Sequence, residues 1–136
     1  MSIDLDIVAP EAIAGIRILP VLHERVDIAP IVRQALEELQ PQAVAVELPT
    51  TLADAAATAV ARLPKASAVI SEEPGEDALV WIETPGDPLV EGIRWAFEHD
   101  REVLLVDPDI RYGRQRHDHL PDPHSKHEIC AEKYIE

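Results

Sequence analysis

The sequence predicts one α/β domain built in three layers, a mainly parallel sheet with helices on both faces. Apolar runs alternate with amphipathic helical stretches along the chain, which is the order typical of parallel strands joined by helices. The chain has 136 residues, a length that suits a single domain. Apolar residues make up 46% of it and aromatic residues only 4%. The core must therefore consist of aliphatic side chains, as in parallel sheets.

Apolar runs bounded by proline, glycine or charged residues predict the strands. In chain order they cover residues 3–7, 15–22, 43–48, 66–71, 78–83 and 102–106. The first run alternates isoleucine and leucine with aspartate, which is typical of an edge strand with one exposed face. The run 43–48 is almost entirely apolar and predicts a buried strand. Pro20 argues against a central position for the second run, because proline cannot donate to the ladder.

Three stretches with apolar residues at steps of three and four predict helices between these strands. They begin near Asp27, at Thr50 or Thr51, and at Asp87, and the first two end before Pro41 and Pro64. Asp87-Pro88 combines a capping carboxylate with proline at the first helical position. Residues 1–112 are thus predicted to form the α/β core. Residues 113–136 form a polar, His-rich segment in which Asp122-Pro123 predicts a terminal helix.

The charge balance limits the classes of partner. Twelve basic and 26 acidic residues give a formal net charge of −14, which opposes binding to a phosphate backbone and favours cations or basic partners. Cys130 is the only cysteine, so the expected compartment is reducing. The acidic N-terminus does not resemble a signal peptide, and no apolar run approaches the ~20 residues of a membrane span. We expect a cytoplasmic protein that contacts neither membrane nor nucleic acid.

Polar residues lie at or just after the carboxyl ends of three predicted strands. His23 follows the run 15–22, Glu47 is next to last in the run 43–48, and Asp107 follows the run 102–106. In an open parallel sheet, ligands bind beyond the carboxyl ends of the strands. Imidazole and carboxylate groups there can bind a divalent metal or act as a general base with carboxylate support.

Each of these residues also has a structural interpretation. Glu47 follows four apolar residues and needs a partner such as Arg17 or Arg25, so it can belong to a structural ion pair. His23 can hydrogen-bond a carbonyl group at the start of a helix. Asp107 precedes a proline and can simply shape a turn. Both interpretations remain open at this point.

A second cluster lies in the C-terminal segment. His124, His127 and Glu128 are spaced i, i+3 and i+4, so one helix face could present all three to a metal, although no defined metal motif is matched. The cluster further includes His117, Asp118 and His119. A solvated His-rich loop is the alternative.

Two phrases resemble the TraB/pheromone-shutdown and Tiki-like superfamily, which includes erythromycin-esterase-like proteins. Its members begin with a strand ending in G-x-x-H, followed by a helix and a phrase similar to P-D-x-V-x-V-E-L. Here Pro-Val-Leu-His ends at His23, and residues 41–48 read Pro-Gln-Ala-Val-Ala-Val-Glu-Leu. Residues 106–111 resemble the family's D-R-D-I segment, and residues 92–99 resemble the preceding helix in a bacterial branch. The similarity covers about residues 15–112.

This resemblance implies an α/β fold with a metal-dependent hydrolase site. It assigns divalent metal binding (manganese, cobalt or zinc) to His23, Glu47 and Asp109. It assigns catalytic roles to Glu47, Asp107 and Arg111. The support is stronger for His23 and Glu47 than for the other three.

The chain departs from the family in two respects. Pro20 stands where the family motif has glycine, and family members continue well beyond the matched region and contribute another histidine. The resemblance therefore covers only their N-terminal part, and we expect a homo-oligomer or a partner protein to complete the site. The alternatives are a fragment of a larger protein, a vestigial site that no longer functions, and a non-enzymatic interaction module.

Overall fold

The structure is a computed structural model that describes residues 3–22, 25–72 and 79–107. The helices in these ranges are α1 (Leu5–Val8), α2 (Ala29–Leu39), α3 (Ala53–Val60) and α4 (Pro88–Glu98), with a 3₁₀ turn over Thr50–Leu52. The strands are β1 (Glu11–Ile13), β2 (Ile16–Arg17), β3 (Ala43–Pro49), β4 (Ser67–Ser71), β5 (Leu79–Glu83) and β6 (Glu102–Asp107). The predicted C-terminal segment 113–136 lies outside the described residues.

The described strands form three two-stranded sheets. β3 and β6 are parallel, and Val44 pairs with Val103. β4 and β5 are antiparallel, as are β1 and β2. The α/β character is therefore confirmed, but a three-layer, mainly parallel sheet is not, since only one of these pairs is parallel.

The core lies between α4 and one face of the β3–β6 pair. It joins buried residues of β3, α3 and α4 in one cluster: Val46, Leu48, Val60, Leu89, Val90 and Ile93. The alternation of β6 leaves Leu104 and Val106 43% and 58% exposed on the opposite face. Helix α2 packs on α4, where Arg33 of α2 pairs with Glu91 and Glu98.

Local signals explain the boundaries of the two long helices. Pro30 and Pro88 each fall in a first turn, where a missing N–H costs little. The Asp87 carboxylate caps α4 by accepting hydrogen bonds from the backbone N–H groups of Leu89 and Val90. Helix α2 ends at Gln40, whose left-handed conformation closes its last turn.

The predicted edge strand over residues 3–7 is wrong. Leu5–Val8 form the short helix α1, because the Asp4 side chain caps it by accepting a hydrogen bond from the Asp6 N–H. The predicted strand over residues 15–22 is reduced to Ile16–Arg17, which pairs with β1. Across the described ranges, the helices are all too short or too polar to cross a membrane.

Candidate functional site

The carboxyl ends of β3 and β6 lie side by side. Pro49 is opposite Asp107, so the two strands end together. Helix α4 leads into β6 through a short connection and must run antiparallel to it. Its N-terminus, capped by Asp87, therefore lies at the end of the sheet where parallel strands usually offer a ligand site.

The segment before α2 reaches the same end of the sheet. A methyl group built on Gly86 would lie 3.1 Å from Val26 Cγ1, so the turn before α4 touches the chain just before α2. That turn is closed by a 3.1 Å hydrogen bond from the Asp87 N–H to the Thr84 carbonyl oxygen. Gly86 adopts a φ of 124°, which a residue with a side chain rarely adopts.

Glu83 is the most unusual residue at this end. It is the last residue of β5, its exposed fraction is 0%, and neither carboxylate oxygen has a hydrogen-bond partner. An ionised carboxylate in such a place is costly, so the neutral form is favoured. Burial, with a smaller contribution from the negative charge of Asp87, raises the pKa of Glu83 to about 7.

Two further buried polar residues accompany Glu83. Asp87 is 4% exposed, and its carboxylate is held at the positive end of α4 by two backbone N–H groups. Ser67 of β4 is directly opposite Glu83 in the antiparallel ladder, and its hydroxyl group is also buried without a hydrogen-bond partner. Ser67, Glu83 and Asp87, which we call the acid cluster, bring together an alcohol, an acid with a raised pKa and a helix-capping carboxylate.

The structure does not bring Glu47 and Asp107 together on one face. Glu47 lies two residues after Ala45 on the same face of β3, and both residues are exposed. Asp107 lies on the other, half-buried face of β6, which it shares with Val103 and Leu105. The expected partners of Glu47 are occupied elsewhere, since Arg17 pairs with Asp6 and Arg25 with Asp27.

The remaining predicted site residues cannot be compared with the structure. His23, Asp109 and Arg111 lie outside the described residues, as do the histidine cluster at residues 117–128 and Cys130. Within residues 3–22, 25–72 and 79–107, no group of three His, Cys, Asp or Glu side chains could hold a metal ion. The predicted metal site therefore stays a prediction.

The sequence contained only a weak signal for Glu83. In the run Ala-Leu-Val-Trp-Ile-Glu, residues 78–83, both alternating sets are apolar, so periodicity could not assign Glu83 to the buried face. In the structure Glu83 pairs with Ser67 across the β4–β5 ladder, and both residues are buried. Asp87 was identified correctly as a helix cap, but nothing in the sequence placed it beside Glu83.

No family model matches the chain, and no curated protein or solved structure matches it either.

Proposed function

We propose that this chain is a hydrolytic α/β domain with its reaction site at the carboxyl end of β3 and β6. The observation that carries the proposal is Glu83, a fully buried acid with two unpartnered carboxylate oxygens beside the carboxylate of Asp87. A carboxylic acid whose pKa lies near neutral pH can both donate and accept a proton under ordinary conditions. Because Glu83 is 0% exposed, it would supply that proton through an intervening group and not by direct contact with a substrate.

The resemblance to TraB/Tiki-like proteins supports the choice of hydrolysis. In this proposal His23, Glu47 and Asp109 would hold a divalent ion (manganese, cobalt or zinc) that polarises the scissile bond, and Asp107 and Arg111 would contact the substrate. Of the three metal ligands only Glu47 is described, and its exposed side chain forms no cluster with other described ligands. The acid cluster therefore carries the structural part of the proposal without the metal.

The proposal extends to location and partners. The single cysteine supports a cytoplasmic location, and the net charge of −14 supports the absence of nucleic-acid binding. The proposal also includes completion of the site by a second copy of the chain or by another protein.

The first test is calorimetric titration of the whole chain with manganese, cobalt and zinc. We expect wild type to bind one of these ions more tightly than His23→Ala. If wild type and His23→Ala bind all three equally weakly, the metal part of the proposal is wrong.

The second test is hydrolysis of p-nitrophenyl acetate and p-nitrophenyl phosphate in the presence of the same ions. We expect Glu83→Gln to lower the rate by about 10²-fold, the size of a general acid–base contribution. Glu102→Gln serves as the matched control, since Glu102 is an exposed carboxylate at the opposite end of β6. Equal rates for wild type and Glu83→Gln, or no hydrolysis by wild type, would contradict the proposal.

A further inference from the structure

The free edge of β3 borders an apolar groove. Within the described residues, β3 pairs only with β6, so the backbone groups on its other side lack a strand partner. A groove of about 790 Å³ runs along this edge. Its lining includes four consecutive residues of β3, Ala43 to Val46. Four consecutive residues of one strand share a groove only where it follows the strand edge, because alternate side chains point to opposite faces.

The walls of this groove are mostly aliphatic. Helix α2 contributes Val32 and Leu36 to one wall, and Leu104 of β6 lies at its outer margin. Of the lining residues within the described part of the chain, only Glu11 and Arg17 are charged. Unpaired backbone groups beside an apolar wall are the two features that a sheet edge offers to an added strand.

The segment of this chain nearest to the groove is already engaged elsewhere. Arg17 belongs to β2, and its Nη1 donates to the Ala9 carbonyl oxygen at 3.0 Å. The Ile18 N–H donates to the Pro10 carbonyl oxygen at 3.1 Å. Pro20, two residues further on, has no N–H to offer to a ladder. Ile16, Arg17 and Leu19 therefore line the groove without pairing with β3.

We propose that the free edge of β3 binds an extended, apolar segment of a partner protein with basic flanking residues. The aliphatic walls select alternating apolar side chains, and the edge supplies main-chain hydrogen bonds. The choice of a basic partner follows from charge, since a chain with a net charge of −14 attracts a cationic partner more strongly than a second copy of itself. The inference stands on the groove and is independent of the proposed reaction.

The experiment uses one defined probe, the capped peptide Lys-Thr-Val-Thr-Val-Thr-Lys, titrated into the whole chain by calorimetry. We expect a dissociation constant below about 1 mM. The same peptide N-methylated at its three central residues should not bind, because it cannot pair through either edge. Hydrogen exchange of the β3 amides should slow when the unmethylated peptide is added and should not change when the N-methylated peptide is added.

Two exposed residues on the same face of β6 give matched variants. Leu104→Lys places a charge at the margin of the groove, whereas Val106→Lys places the same charge two residues away, outside the lining. Leu104→Lys should weaken binding at least about tenfold and Val106→Lys should leave it nearly unchanged. Both side chains are exposed in wild type, so neither substitution should unfold the chain.

Several results would overturn this inference. They are absence of binding by wild type, equal binding of the N-methylated peptide, and equal effects of the two lysine variants. Sedimentation velocity tests whether a second copy of the chain occupies the groove instead. If wild type is a dimer that does not bind the peptide, and Leu104→Lys dissociates this dimer, the groove belongs to a second copy.

Discussion

Glu83 and Asp87 are buried carboxylates four residues apart, one ending β5 and the other capping α4. They differ in their partners, since Asp87 accepts two backbone hydrogen bonds and Glu83 accepts none. Burial of Glu83, with the negative charge of Asp87 as a second cause, raises the pKa of Glu83 to about 7. The turn between them thus holds one hydrogen-bonded carboxylate beside one acid whose ionisation is held back to about pH 7.

Replacing Glu83 by glutamine should change how stability depends on pH. The carboxyl group of Glu83 takes up its proton at about pH 7 in the folded chain and near 4.5 in the unfolded chain. Between these values the folded state binds more protons, so this group lowers the free energy of unfolding as pH rises. From pH 4.5 to pH 8, Glu83→Gln should gain up to about 3 kcal/mol relative to wild type. Urea unfolding at both pH values measures this; a constant difference would contradict it.

Substitutions of Asp87 should separate its charge from its capping role. Asparagine still caps a helix but carries no charge, so Asp87→Asn should lower the pKa of Glu83 with little loss of helix stability. Alanine removes both functions, and Asp87→Ala should cost about 1 kcal/mol more than Asp87→Asn in thermal unfolding. Equal stability of the two variants would exclude the capping role that the structure gives this carboxylate.

Glu98 should show the opposite pH dependence. A hydrogen bond from Arg33 is the main cause that lowers the pKa of Glu98, with Arg94 adding to it against the effect of burial. A lowered pKa stabilises the fold above pH 4.5, and this stabilisation is lost as pH falls further. Because both side chains are about one-third exposed, Glu98→Gln should cost only about 0.5–1 kcal/mol at pH 7 and low salt. The cost should shrink at acidic pH or in high salt; an unchanged cost would contradict the ion pair.

Two glycines should respond differently to alanine. A methyl group on Gly92 of α4 would lie 3.6 Å from Val44 Cγ1, an ordinary contact, so Gly92→Ala should stabilise the chain by about 0.5–1 kcal/mol. Gly86 has a φ of 124° and its methyl group would lie 3.1 Å from Val26 Cγ1. Gly86→Ala should therefore destabilise the chain by about 1 kcal/mol or more. Thermal unfolding of both variants checks the difference, and the same sign for both would be inconsistent with this geometry.

The elements predicted best from the sequence are those with strong local signals. Helix α4 begins where Asp87-Pro88 indicated, and β3 follows Pro41 closely, because caps and prolines act within a few residues. The N-terminal prediction failed where two local signals competed. Ile3, Leu5 and Ile7 have the period of a strand, but the Asp4 side chain caps a helical turn over the same residues.

The layer arrangement and the site depended on contacts between distant residues. The sequence predicted helices on both faces of the sheet, yet Leu104 and Val106 of β6 are exposed in the structure. The acid cluster required the register of β4 on β5, which places Ser67 opposite Glu83. Neither the exposed face of β6 nor this register has a period or motif in the sequence, so the residues of the acid cluster could not be predicted from it.

The most direct test of this account is the titration of the Glu83 carboxyl group itself. Carboxyl carbon NMR of ¹³C-labelled protein, with the resonance assigned by its absence in Glu83→Gln, gives the pKa in the folded chain. We predict a midpoint at about pH 7, shifted downward in Asp87→Asn. A midpoint near 4.5 in wild type, the ordinary value for a glutamate, would contradict the account and remove the proton-carrying residue on which the proposed function rests.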